Sequence, residues 1–238
     1  MLQNLPFYLT TGFVLTTIIA LAMVLLLIRT SSKSTSRKTA QWVIGTLIFW
    51  LSIQAMLSIL GIYTDDPQSI PPKIILFGVL PALIVIILLF NIPKGKQFID
   101  RLSMQMLTHV HLVRIPVELC LYGLYLHGSV PELMTFEGRN LDILAGLSAP
   151  LVGFLGIRRG KMGKVSLLVW NFICMGLLLN IVIIAILSAP SPFQQFAFDQ
   201  PNVAILHFPF SWLPAFIVPL VLFAHLAAFR KLINCKKR

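Results

Sequence analysis

Residues 6–28 read Pro6-Phe7-Tyr8-Leu9-Thr10-Thr11-Gly12-Phe13-Val14-Leu15-Thr16-Thr17-Ile18-Ile19-Ala20-Leu21-Ala22-Met23-Val24-Leu25-Leu26-Leu27-Ile28, and Arg29 follows at once. The run contains no charged side chain. Roughly 20 mostly apolar residues in a helix cross the hydrocarbon core of a bilayer. A helix satisfies every backbone N–H and C=O within the segment, which lipid demands. The run lacks the period-2 alternation of a barrel strand. Its positive charge follows the apolar stretch and no basic segment precedes it, so it reads as a retained first helix and not a signal peptide.

Six more runs of this kind follow, at about 42–63, 74–92, 107–127, 141–157, 165–188 and 210–229. Only 11% of the 238 residues are charged and mean hydropathy is +0.88. Soluble domains carry about 25% charged residues. The expected fold is therefore an all-α polytopic transmembrane helix bundle of about seven spans. Residues 1–238 are read as a single transmembrane domain, with the bilayer as its surroundings.

The net charge of +11 could suggest nucleic acid, but its distribution argues against that partner. Sixteen of the 19 Lys and Arg lie on alternate loops: Arg29, Lys33, Arg37 and Lys38; Lys94, Lys96 and Arg101; Arg158, Arg159, Lys161 and Lys164; and Arg230, Lys231, Lys236, Lys237 and Arg238. The remaining loops hold Asp65, Asp66, Glu132, Glu137, Asp142 and Asp199, against only Lys73 and Arg139. Cytoplasmic loops are the basic ones, so the N-terminus is expected outside and the C-terminus inside. Residues 97–106 are half polar and are expected to lie on the cytoplasmic surface or to extend the fourth helix. The aromatic, proline-rich loop 190–209 reads as an interfacial anchor or a lid.

The fourth run carries the strongest polar signal: His109-Val110-His111-Leu112-Val113-Arg114-Ile115-Pro116-Val117-Glu118-Leu119-Cys120-Leu121-Tyr122. At about 100° per residue, His111, Arg114, Glu118 and Tyr122 share one stripe. An Arg at the bilayer centre costs about 2.5–3.5 kcal/mol on the insertion scale, so Arg114 should face protein or water. Glu118, one turn on, is its expected ion partner. Pro116 should free the carbonyl of Leu112. Two readings compete: a pathway for a small anionic solute or a proton, or an ion pair that fixes helix packing.

Pro209, Pro214 and Pro219 should break the seventh helix. His225 and Asn171 are expected at the depth of Arg114, lining one inward pocket with it. Glu137, Arg139 and Asp142 are candidates for an outer mouth, although Asn140 as N-cap and Asp142 at the helix dipole need no ligand. Ala145, Ala149 and Gly153 recur at every fourth residue, a close-packing pattern. Leu80-Pro81-Ala82-Leu83-Ile84-Val85 resembles Leu213-Pro214-Ala215-Phe216-Ile217-Val218, hinting at a parallel repeat shifted by 133 positions (residue 80 onto 213).

No metal or cofactor signature is read. The rings of His109 and His111 diverge on a helix, and no Walker, Gly-x-Ser-x-Gly or His-Glu-x-x-His motif occurs. Cys120, Cys174 and Cys235 give no disulfide framework. Arg114-Ile-Pro-Val-Glu118, residues 134–146 and Phe210–Pro219 resemble a group of uncharacterised bacterial multi-spanning inner-membrane proteins. That resemblance implies an inner-membrane, multi-pass location and no particular activity. The seven-helix lipid amidases related to alkaline ceramidase are a poor match, lacking here the Asp of the third helix and the His-x-x-x-His near the end. The functional expectation is a transporter or sensor of a small solute or ion. A membrane-embedded lipid-modifying enzyme and a non-catalytic scaffold are the alternatives. Oligomeric state is not read from the sequence.

Overall fold

The computed structural model describes residues 5–30 and 37–234. Lys33, Cys235, Lys236, Lys237 and Arg238 lie outside the described residues, as does the side chain of Arg37. The elements are helical: α1 (Phe7–Arg29), α2 (Arg37–Ile59), α3 (Leu80–Asn91), α4 (Pro93–Arg101), α5 (Met104–His109), α6 (Arg114–Leu126), α7 (Ile143–Leu151), α8 (Lys164–Ser188) and α9 (Val218–Asn234). Three π-helical segments join them, Ile75–Val79 before α3, Val152–Arg158 after α7 and Leu213–Ile217 before α9.

Among the described residues, four helices are long and apolar enough to cross a membrane: Phe7–Arg29, Lys38–Ile59, Lys164–Ser188 and Leu213–Asn234. A fifth joins them if Ile75–Asn91 and Pro93–Arg101, bent by 89°, count as one span. The other apolar runs fall short for physical reasons. The fourth is in three pieces, with a 3-10 turn at Val110–Val113 between α5 and α6. That turn ends three residues before Pro116, whose missing N–H denies Leu112 its helical donor. The fifth run forms only the shorter helix Ile143–Arg158.

Large apolar side chains lie exposed along these helices, among them Phe7, Trp42, Phe49 and Phe172. Such faces are costly in water and are what acyl chains would cover. The inner core gathers Phe13, Val113, Leu121, Leu178, Phe210, Phe216 and Val221 around α1, α6, α8 and α9. The small-residue row packs as expected: Ala145 and Ala149 are buried, and a side chain at Gly153 would run into the His109 ring.

The half-polar 97–106 region divides. Pro93–Arg101 turns off α3 at Ile92, which precedes a proline and is extended. Gly95 makes the corner feasible, since any Cβ there would collide with the backbone of Leu89. Arg230 then holds Asp100 through two bonds of 2.9 and 2.8 Å, fastening α4 to α9. Met104–His109 instead leads into the fourth run.

One element of the repeat hinted at by sequence, the proline-broken helix, recurs in backbone form, at a different register. A shift of 138 positions (Pro81 onto Pro219) aligns Pro71 with Pro209, the π segment 75–79 with 213–217, and the first residue of α3 with that of α9. The apolar letters favour a shift of 133. The prolines decide the geometry, because each removes one helical donor. The acceptors left over are the carbonyls of Phe77 and Ala215, four residues before each proline. One helix satisfies both. Gln54 Nε2 donates to Phe77 O at 3.0 Å, and Trp50 Nε1 donates to Ala215 O at 3.0 Å. Trp50 and Gln54 are one turn apart on α2, so a single face of α2 seals both breaks. The two π segments pack on each other where Gly78 meets Ala215.

Candidate functional site

A cavity of about 360 Å³ lies between these two broken helices, α6 and α8. The equivalent helices contribute equivalent residues: Ile75, Val79 and Leu83 from the first, Leu213, Ile217 and Val221 from the second. Each set is spaced by four residues, so each is one face of a helix. The face of α6 contributes Arg114, Val117, Glu118 and Leu121, at helical spacing. Leu178, Ile181 and Ala185 of α8 complete the wall. The walls are therefore apolar, and the polar groups are confined to the two ends.

One end is the cluster around Arg114, which is 2% exposed. Its Nη1 donates to Asp142 Oδ1 at 2.8 Å and to the Cys174 carbonyl at 3.1 Å. Its Nη2 lies 2.7 Å from His225 Nε2. A guanidinium can only donate, so Nε2 of His225 is the acceptor and Nδ1 carries the proton. Nδ1 then donates to Asn171 Oδ1, and Asn171 Nδ2 returns a bond of 3.1 Å to the His225 carbonyl. His111 stacks on His225 with ring centroids 4.1 Å apart and meets Trp170 edge-on. Trp170 Nε1 donates to Ser148 at 3.0 Å. Behind Arg114 there is thus a packed second layer that fixes its orientation.

Glu118 does not pair with Arg114, contrary to the expectation from their spacing. Among the described residues the ion pair of Arg114 is with Asp142. The reason is directional. Side chains on a helix lean toward its N-terminus, so an Arg four residues before a Glu reaches away from it. Glu118 is held instead by Asn140, whose Nδ2 lies 2.7 Å from each carboxylate oxygen. Asn140 Oδ1 accepts from the Asp142 backbone N–H at 3.0 Å, which ties both acidic groups into one loop. Asn140 is therefore not the expected N-cap. Asp142 occupies that position, makes no side-chain cap bond, and spends its carboxylate on Arg114.

The other end of the cavity is lined by Tyr63, Asp66, Lys73 and Ser191. Asp66 is exposed, so this end meets the loops that follow α2 and α8. Those loops belong to the acidic set, and the pocket does not open on the basic side as the sequence reading expected. Lys73 bonds Asp65 at 3.2 Å, and the Tyr63 hydroxyl donates to Gln54 Oε1.

The sequence candidates thus separate into three groups. Arg114 and Glu118 line the cavity, and Asp142, assigned to an outer mouth, joins them at the buried end. His111, Asn171 and His225 stand behind Arg114 and do not line it. Tyr122 and the remaining mouth candidates stand apart: Tyr122 donates to Glu137 Oε1 at 3.0 Å, and Arg139 offers its carbonyl to Asn180 at 2.9 Å. Tyr63 and Lys73 were missed. A lone Tyr at the end of an apolar run and one Lys in an acidic loop give no motif.

Residues 71–233, which include every side chain of the buried polar end, match a family model described as Domain of unknown function (DUF8737). No curated protein matches the chain, and no solved structure does.

Proposed function

The chain belongs to that family of unknown function, and on this premise we propose that it is an integral membrane protein that takes a small solute into the cavity and moves it across the bilayer or senses it. The observation that carries the reading is the make-up of the cavity wall. Equivalent faces of two proline-broken helices enclose an apolar space that ends on Arg114, Glu118 and Asp142. Discontinuous helices meeting at a repeat interface around a mid-depth site are a recurring transporter design. A buried guanidinium and two carboxylates are costly in lipid unless protein or a water-filled cavity receives them. Packing alone needs no cavity beside them.

The proposal includes seven crossings, with the N-terminus outside and the C-terminus inside. Basic loops then fall on one side, and the cavity mouth at Asp66 and Lys73 on the other. The bilayer is the bacterial inner membrane expected from the family resemblance. A lipid-modifying enzyme with His111, Glu118 or His225 as acid or base is less well supported, because neither histidine lines the cavity and both ring nitrogens of His225 are engaged.

The test is access. In a variant with Cys120, Cys174 and Cys235 replaced by Ser, Ala185→Cys should react with a membrane-impermeant thiol reagent added outside. Carriage across the bilayer further requires reaction from the inside in inverted vesicles. Reaction from the outside alone supports sensing, and reaction from neither side removes the cavity as a solute site.

A further inference from the structure

Resting on the reading of the cavity as a solute site, we propose that its occupant is an organic cation: a small amine with an apolar body and its ammonium at the Asp142–Glu118 end.

The argument is one of charge balance and shape. The buried end of the cavity holds one guanidinium, Arg114, and two carboxylates, Glu118 and Asp142. Both acidic residues are buried, at 1% and 4% exposure. Both Nη atoms of Arg114 are already committed, to Asp142, the Cys174 carbonyl and His225, and its Nε is buried away from the cavity with no hydrogen-bond partner among the described residues. His225 accepts from Arg114 and is neutral on its own hydrogen-bond pattern. With both carboxyl groups ionised, as a bound cation would keep them, one carboxylate charge is left over.

The bonding leaves acceptors on that side. Asp142 is bonded through Oδ1, and among the described residues none donates a hydrogen bond to its Oδ2. Glu118 receives only the amide of Asn140, while a carboxylate has about four lone-pair sites. An ammonium brings three donors and one positive charge, which meets both needs. A carboxylate head would bring a second uncompensated negative charge into a low-dielectric space. A neutral head would leave the excess where it is.

The body of the occupant follows from the walls. Val79, Leu83, Ile181, Ala185, Ile217 and Val221 offer no hydrogen-bonding side chain, so the part of the solute away from its head must be hydrocarbon or aromatic. The volume of about 360 Å³ suits a molecule of modest drug-like size, and the apolar walls suit neither a sugar nor a bare metal ion. At the mouth, Asp65 and Asp66 against Lys73 leave one further negative charge along the way in.

The probes share one body and differ in the head: 3-phenylpropylammonium, 3-phenylpropanol and 3-phenylpropionate. Binding is measured at neutral pH to the full chain in nanodiscs, with protein-free nanodiscs as the lipid blank. The ammonium should bind at least about tenfold more tightly than the carboxylate, with the alcohol between them. Glu118→Gln should bring the three within about threefold of one another. Carboxylate binding equal to or tighter than ammonium binding overturns the proposal, as does an ammonium preference that survives intact in a folded Glu118→Gln protein. Should that variant fail to fold, the ranking in the unaltered protein decides alone. Binding of the alcohol and the carboxylate without the ammonium keeps the cavity as a solute site and discards the cation. Binding of none of the three above the lipid blank removes both.

Discussion

Trp50 donates its indole N–H to the carbonyl of Ala215, the acceptor that Pro219 leaves without a helical partner. One turn along α2, Gln54 does the same for Phe77, which Pro81 leaves in the same position. Both broken helices are thus closed by one face of one neighbour. Leaving a buried acceptor without its partner costs about 1–3 kcal/mol. Trp50→Phe and Gln54→Leu should each lower stability in detergent by about that amount. Gln54→Leu should be the costlier for order near Tyr63, whose hydroxyl also loses its acceptor. Equal stability of both variants and the parent protein, measured by thermal or denaturant unfolding, would contradict the sealing role.

The pairing of Arg114 is tested by a double-mutant cycle. Breaking a buried pair by removing one partner costs about 3–5 kcal/mol, because the other charge is stranded. Arg114→Gln and Asp142→Asn should each be strongly destabilising, and the double variant should recover about 1–3 kcal/mol of the sum. The cycle on Arg114 and Glu118 should show less coupling, because Asn140 and not Arg114 holds Glu118. The reverse ranking of the two couplings would show that the helix spacing, and not the fold, chooses the partner.

The proposed seven-crossing arrangement has a simple readout. In the cysteine-free background, Gln68→Cys and Gln195→Cys should label with an impermeant thiol reagent in intact cells. Gln97→Cys and Lys161→Cys should label only after permeabilisation. All four positions are exposed, so burial does not limit the reaction. Labelling of Gln68→Cys and Lys161→Cys from the same side would mean an even number of crossings between them and would contradict the topology.

Helices and polar outliers were legible in the sequence because each depends on nearby residues. Apolar runs of sufficient length marked the helices, and Arg114 and Glu118 stood out as charges within one. The partner of Arg114 was not legible. Asp142 lies 28 positions away and sat in a segment whose residues already had an adequate explanation as helix caps. Local spacing offered Glu118, and only the lean of helical side chains toward the N-terminus argues against it. The likeness of the two proline-broken helices was visible but displaced by five positions, since matching apolar letters is a weak constraint between apolar helices. Aligning Pro81 with Pro219, the residues that alter the backbone, would have found the right register. The cavity could not be read at all: its wall draws on four elements that only tertiary packing brings together.

The most direct measurement blocks the space itself. Ala185→Trp adds bulk to the cavity wall, whereas Ile183→Trp adds it on the exposed face of the same helix. Each change is combined with Val221→Cys, deep on the opposite wall, in the cysteine-free background. The rate of labelling by an impermeant thiol reagent added outside is then compared with that of Val221→Cys alone. The account predicts that Ala185→Trp slows labelling by at least about tenfold while Ile183→Trp leaves it unchanged, because Ala185 and Val221 line the same cavity and the reagent is to reach position 221 through it. Equal rates in all three proteins would mean that the cavity is not the way in, and the proposed solute site would fall with it.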